Sequence, residues 1–123
     1  MIEYPYMITL LGEPKSTQHI YKLTSRGKFA SIYMSAEGKA LKESYQWQAK
    51  SQWRNKIITG NVCIYITLYF GTKRKSDIDN YGKILLDSLT GIVWEDDSQI
   101  TDMRVIKEYS KENPRIEIDI QEI

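Results

Sequence analysis

Residues 62–89, VCIYITLYFGTKRKSDIDNYGKILLDSL, combine three patterns from which the fold can be predicted. Val62–Phe70 is an uncharged run of β-branched, aromatic and other apolar residues, which predicts a central β-strand. Asn80–Leu89 carries apolar residues at helical spacing and predicts a helix, which Thr90 and Gly91 close. The residues between the two are first basic and then acidic, so a charged loop is expected to connect a buried strand to a helix.

Four further strands and one long helix are predicted around this unit. The helix is expected to run from the N-cap Ser35 to about Ile57, because apolar residues recur at every fourth position. Tyr45 and Trp53 belong to that apolar stripe and are expected in the core, and Gly60 is expected to adopt a left-handed conformation after the helix. The four strands are predicted at Tyr4–Leu11, Phe29–Met34, Ile100–Tyr109 and Arg115–Ile123.

These elements follow the order ββαβαββ, which predicts an α+β fold with a small mixed β-sheet of about five strands and two helices on one face. The 123 residues fit a single domain, residues 1–123. No apolar run approaches the ~18 residues of a membrane span, so no membrane association is expected. The one cysteine, Cys63, lies in an apolar run, which predicts a buried thiol in a reducing, cytoplasmic compartment.

The formal net charge of +1 conceals two halves of opposite charge. Residues 1–76 contain twelve Lys and Arg against four Asp and Glu, a net charge of +8. Residues 77–123 contain five Lys and Arg against twelve Asp and Glu, a net charge of −7. Such an asymmetry is typical of proteins that bind nucleic acid or membrane surfaces, although solvated faces can also differ by chance.

Two acidic clusters stand out in the second half. Asp77 and Asp79 are two residues apart at the start of the second helix, where extended backbone would direct both side chains to one side. Asp96 and Asp97 follow about eighteen residues later, and the short helix between the clusters can return the chain towards the first pair. Converging carboxylates require a cation, and oxygen ligands suit Mg²⁺ or Mn²⁺. An N-cap role for Asp79 remains the simpler alternative.

Lys83 and Asp87 follow Asp79 at four-residue intervals, which predicts that the three share one face of the helix. The simplest interpretation of such a row is a ladder of surface salt bridges. A calcium loop of the EF-hand type is excluded, because the pattern lacks the oxygen ligand required at the fifth position and the Glu at the twelfth. Cys63 and His19 are a poor nucleophile–base pair, because the thiol lies in an apolar strand.

Residues 73–100, KRKSDIDNYGKILLDSLTGIVWEDDSQI, resemble the signature of the RusA-type Holliday junction resolvases. The shared features are a basic loop, D-x-D-N, a Lys four residues after the second Asp, an Asp four residues further on, and W-x-D-D-x-Q. The early strand, the basic loop after it, S-A-E-G at residues 35–38 and the closing hairpin align coarsely as well.

This resemblance implies a Mg²⁺-dependent homodimeric endonuclease, with Mn²⁺ as a possible substitute, that resolves four-way junction DNA by paired nicks and is encoded by a bacterium, phage or prophage. It implies that Asp77, Asp79 and Asp97 bind the metal and that Lys83 is the catalytic lysine beside them. The supporting residues would be Asn80, Asp87 and Asp96. The expected DNA contacts, from the cationic segments, are Lys15, Lys22, Arg26, Lys28, Lys73, Arg74 and Lys75.

Two other functions remain open at this point. A junction-binding protein without catalysis would retain salt-sensitive binding in EDTA and make no nicks. A metal-dependent hydrolase of a small phosphorylated substrate would explain the carboxylates, but not the absence of acidic residues between Pro14 and Ala36.

Overall fold

Six strands and two α-helices are present in a computed structural model that describes residues 6–16, 21–26, 29–73 and 78–123. Side chains are described throughout these ranges except at 21–26, 29–33, 79 and 80. The elements are β1 (Tyr6–Leu11), β2 (Tyr21–Arg26), β3 (Phe29–Met34), α1 (Ala36–Gln52), β4 (Val62–Phe70), α2 (Gly82–Leu89), β5 (Ile100–Tyr109) and β6 (Arg115–Glu122). Two 3-10 turns, Ile78–Tyr81 and Asp97–Gln99, precede α2 and β5.

Four of the strands form one mixed sheet in the order β1-β6-β4-β5. β6 runs antiparallel to both β1 and β4, whereas β4 and β5 are parallel and are connected through α2. The predicted α+β class and the interior position of β4 are therefore confirmed.

The predicted strand count and order need a correction. β2 and β3 form a separate two-stranded antiparallel hairpin, so the main sheet has four strands and the observed order is βββαβαββ. The missed strand, YKLTSR, is polar and cationic, and it lacks the apolar alternation on which a strand prediction depends.

The hydrophobic core lies between both helices and one face of this sheet. Alternate residues of β4 and β6, such as Ile66 and Ile118, join one buried cluster with Tyr45 and Ala49 of α1 and Leu85 of α2. Trp53 also belongs to this cluster, and its ring packs edge-to-face against Tyr6 at 5.0 Å. The core predictions for Tyr45 and Trp53 are thus confirmed. Cys63 is buried as predicted, with its thiol 3.7 Å from Asp102 Oδ2.

α1 begins where the sequence predicts but ends earlier. Ser35 caps it, with Oγ accepting a hydrogen bond from the Gly38 backbone N–H at 3.0 Å. Its last residue is Gln52, not Ile57, because Trp53 adopts extended backbone and turns its ring into the core. Gly60 has no positive φ, so the predicted left-handed end is wrong, whereas Gly91 has φ 90° after α2.

Glutamines of α1 cover the β1 edge of the sheet. The Gln52 amide accepts from the Thr9 backbone N–H and donates to the Thr9 carbonyl, both at 2.7 Å. Gln48 accepts from the Leu11 N–H at 2.8 Å. An exposed strand edge is a template for unwanted strand pairing, so these side chains protect β1 while they hold α1 against it.

Candidate active site

The Asp79 segment is anchored at the carboxyl end of β4. Tyr81, the last residue of the 3-10 turn Ile78–Tyr81, is 2% exposed and packs edge-to-face on Phe70, the last residue of β4, with ring centroids 5.3 Å apart. This contact fixes the backbone around Asp79 and Asn80 against the sheet. The predictions for Asp77, Arg74 and Lys75 lie outside the described residues, as do the side chains of Asp79 and Asn80.

The predicted second helix begins two residues later than expected, at Gly82. Asp79 therefore lies in the preceding 3-10 turn, which has 3.0 residues per turn, and not in an α-helical row with Lys83 and Asp87. That all three share one face stays a prediction for Asp79, because its side chain lies outside the described residues.

Lys83 and Asp87 do share one face of α2. Lys83 Nζ lies 3.7 Å from Asp87 Oδ2, and the two side chains are 56% and 32% exposed. On the opposite side of the helix, Ile84 and Leu85 are buried in the core. The Lys83 ammonium is thus presented to solvent from the first turn of α2, next to the turn that contains Asp79.

The second acidic cluster forms a tight, exposed turn before β5. The Asp96 backbone N–H donates to Gln99 Oε1 at 2.7 Å, and Ser98 Oγ donates to Asp96 Oδ2 at 2.9 Å. Hydrogen bonds from the Ser98 side chain and backbone hold the pKa of Asp96 below its ordinary value. Asp96 is therefore engaged within the turn, whereas the adjacent Asp97 is exposed at its start.

Gln99 joins this acidic turn to the segment that enters β4. Its Nε2 donates to the carbonyls of Ile58 at 2.8 Å and Gly60 at 2.7 Å, while its Oε1 accepts from Asp96. The final Gln of the W-x-D-D-x-Q motif is thus a structural clamp. The Trp of the motif, Trp94, is fully buried, and its indole N–H donates to Thr90 Oγ1 at 3.0 Å.

Replacing Gln99 with Leu is expected to lower the free energy of unfolding by about 1–3 kcal/mol, because the two carbonyls and the Asp96 N–H lose their partner together. Urea denaturation followed by circular dichroism measures this loss. Ser98→Ala is the matched control, since it removes one exposed hydrogen bond from the same turn. An equal loss in the two variants would contradict the clamp.

The structure places the Ile78–Tyr81 turn, which contains Asp79, and the Asp97 turn near opposite ends of the β4–β5 pair. Ile100, which follows the Asp97 turn, is the partner of Val62 at the start of β4, whereas Tyr81 packs on Phe70 at its end. A strand of this length spans roughly 27 Å. No group of three possible metal-ligating side chains occurs among the described residues. The convergence of Asp97 with Asp77 and Asp79 stays a prediction, because the side chains of the first pair are not described.

The predicted DNA contacts are distributed over three places. Lys73 is exposed in the loop after β4, and its Nζ lies 5.1 Å from the centre of the Tyr109 ring. Lys15 is exposed after β1. Lys22 and Arg26 are in the backbone of the β2–β3 hairpin, and Lys28 lies outside the described residues. The segments that contain Lys73 and Lys15 meet at the Phe70 end of the sheet, because the Gly71 backbone N–H donates to Glu13 Oε2 at 2.9 Å.

The chain is similar to known endodeoxyribonucleases. The sequence model of the family described as endodeoxyribonuclease RusA matches residues 12–121. The chain belongs to the RusA family. Crossover junction endodeoxyribonuclease RusA of Escherichia coli (strain K12) is 31% identical over 119 residues, which cover 96% of this chain and 95% of that protein. The enzyme of the same name from Enterobacteria phage 82 matches to the same extent.

A shorter match is to the uncharacterized protein YqaN of Bacillus subtilis (strain 168), which is 47% identical over 49 residues that cover 40% of this chain and 34% of that protein. The resemblance to the RusA-type enzymes, and with it the assignment to a family of nucleases, is confirmed. Among the described residues of this RusA family member, no helix is long and apolar enough to span a bilayer.

Proposed function

We propose that this RusA family member is a Mg²⁺-dependent endodeoxyribonuclease that resolves four-way DNA junctions by paired symmetric nicks, leaving 5′-phosphate and 3′-hydroxyl ends. The family match over residues 12–121 carries the proposal. The anchored turn at Ile78–Tyr81 supports it, because this turn holds Asp79 next to the exposed Lys83 and close to the loop that contains Lys73.

The donor set fits a hard divalent cation, since carboxylate oxygens are the ligands that Mg²⁺ and Mn²⁺ prefer. Asp77 and Asp79 would hold the metal, with Asn80, Asp87 and Asp96 as supporting residues. Asp97 is the third proposed ligand, although its turn lies at the other end of the β4–β5 pair within one chain, so its role needs a test of its own. When bound, the metal supplies an activated water and neutralises charge on the phosphate. Lys83 then binds a phosphate oxygen through its solvent-facing ammonium, which stabilises the charge that develops during cleavage.

A homodimer would supply two equivalent sites. A four-way junction in its open form has two-fold symmetry, and a C2 dimer presents two identical sites related by the same symmetry. Because the carboxylates alone repel DNA, the junction backbone would be bound by the predicted cationic contacts. These are Lys15, Lys22, Arg26, Lys28, Lys73, Arg74 and Lys75.

The test is incubation of the purified chain with a synthetic four-way junction and, in parallel, with a linear duplex of the same arm sequence. With Mg²⁺ we expect symmetric nicks in opposite strands of the junction, little cleavage of the duplex, and no cleavage in EDTA. Sedimentation analysis should show a dimer. Junction binding without nicking would favour the non-catalytic binder, and release of phosphate from small substrates would favour the small-molecule hydrolase.

A further inference from the structure

Tyr109 lies at the end of the sheet where Tyr81 packs on Phe70. It is an aromatic residue that has no role in the proposed nuclease site. It is the last residue of β5 and 45% exposed. Its register partner is Phe70, and the Ser110 backbone N–H donates to the Phe70 carbonyl at 2.8 Å. Partners in a parallel pair direct their side chains to the same face, so Tyr109 stands beside Phe70 on the face that Tyr81 covers.

A cation is held against this ring. Lys73 Nζ lies 5.1 Å from the ring centre, and only four residues separate Lys73 from the turn that begins at Ile78. Lys107, two residues before Tyr109, is exposed on the same face of β5. A half-exposed ring therefore lies beside Lys73, on the strand face that also carries Lys107, at the end of the sheet where the Asp79 turn is anchored.

We propose that Tyr109 and Lys73 form a nucleotide-binding platform, in which a base stacks on the Tyr109 ring and Lys73 binds the phosphate of that nucleotide. The inference rests on the proposed function, because it assigns the platform to the DNA strand that enters the nuclease site. A nucleotide combines an aromatic face with an anionic phosphate, and a half-exposed ring with an ammonium beside it offers one binding group for each of them. Unpaired or splayed bases at a junction centre are the form of DNA that exposes such a face.

The experiment measures the binding of fluorescein-labelled DNA by anisotropy in EDTA, so that binding is separated from cleavage. The probes are a four-way junction and a single-stranded oligonucleotide. Tyr109→Ala and Tyr109→Leu are expected to weaken binding of both probes at least about tenfold, the loss typical of one stacked base. Tyr109→Phe is expected to bind within twofold of the wild type, because the ring is retained.

The matched control is Trp47→Ala. Trp47 is the most exposed aromatic residue among the described side chains, at 75%, but it lies on the outer surface of α1 next to Glu43 and Lys50. This variant should bind within twofold of the wild type. Lys73→Met should reduce the salt dependence of binding by about one phosphate contact.

Wild-type affinity in Tyr109→Leu, or an equal loss in Trp47→Ala, would overturn the platform. The proposed function has a separate readout, which is cleavage by the unmodified chain. If that chain cuts junctions while Tyr109→Leu binds them normally, the platform alone is wrong. If the chain binds DNA through Tyr109 and cuts nothing, the nuclease proposal is wrong and the platform stands.

Discussion

Asp79→Asn is expected to reduce the rate of junction cleavage at least ~10³-fold, equivalent to about 4 kcal/mol of transition-state stabilisation. Asn has nearly the size of Asp, and the Tyr81–Phe70 contact that anchors the turn does not involve residue 79. The expected loss therefore follows from removing the negative charge that is proposed to bind the metal. The measurement is single-turnover cleavage of a labelled four-way junction, together with junction affinity in EDTA, which should stay within about threefold of wild type.

Glu108→Gln is the matched control for this variant. Glu108 is an exposed carboxylate one residue before Tyr109, so it points to the other face of the same strand end. The Glu108→Gln variant should cleave the junction at a rate within about twofold of the wild type. Equal rates for Asp79→Asn and Glu108→Gln would contradict the metal site.

Asp97→Asn tests the third proposed ligand separately. The described topology places Asp97 near the amino end of β5 and the Asp79 turn near its carboxyl end. If Asp97 completes the metal site, Asp97→Asn should lose cleavage as severely as Asp79→Asn. Its control is Glu95→Gln, an exposed carboxylate of the same acidic turn. Wild-type cleavage by Asp97→Asn would limit the metal ligands to the first acidic pair.

The elements with strong periodicity could be predicted from the sequence alone. The uncharged β4 run and the alternation of Ile116, Ile118 and Ile120 in β6 depend only on local pattern, and both strands lie where the pattern places them. β2 could not be predicted, because its sequence lacks the alternating apolar residues that indicate a strand with one buried face. Its pairing with β3 is seen only in the structure. The early end of α1 depends on Trp53 meeting Tyr6, a contact between residues 47 positions apart.

The candidate site also contains some residues that the sequence indicates and others that only the structure shows. Residue spacing and the family resemblance indicate Asp79, Lys83 and the acidic turn as candidates, because such motifs are local in sequence. The clamp by Gln99 depends on the carbonyls of Ile58 and Gly60, and the position of Tyr109 depends on the β4–β5 register. Such contacts are set by tertiary structure. The W-x-D-D-x-Q motif marks Gln99 as a feature of the family but does not show that it is a structural clamp, and nothing in the local pattern distinguishes Tyr109 from an ordinary strand residue.

Lys83→Met is expected to lower the cleavage rate about 10²–10³-fold while changing the free energy of unfolding by less than about 0.5 kcal/mol. The side chain is 56% exposed and its ion pair with Asp87 is 3.7 Å long, so the pair contributes little to stability. Loss of one group that stabilises the charge developing in a transition state costs about 2.7–4 kcal/mol where it has been measured for an oxyanion-hole donor, and we expect a similar loss here. Single-turnover cleavage and urea denaturation measure the two quantities on the same preparations.

Asp87→Asn separates the catalytic explanation from a structural one, because it breaks the same ion pair from the other side. If Lys83 acted only through the pair, the two variants would show the same activity. Since the ammonium is proposed to bind phosphate, Asp87→Asn should retain at least about a tenth of wild-type activity, as it leaves the cation in place and removes only a residue that positions it. Arginine at position 83 would keep the charge but alter its geometry, so partial activity in Lys83→Arg further indicates a direct contact with phosphate. Equal activity in Lys83→Met and Asp87→Asn would instead show that Lys83 acts only through its surface salt bridge with Asp87.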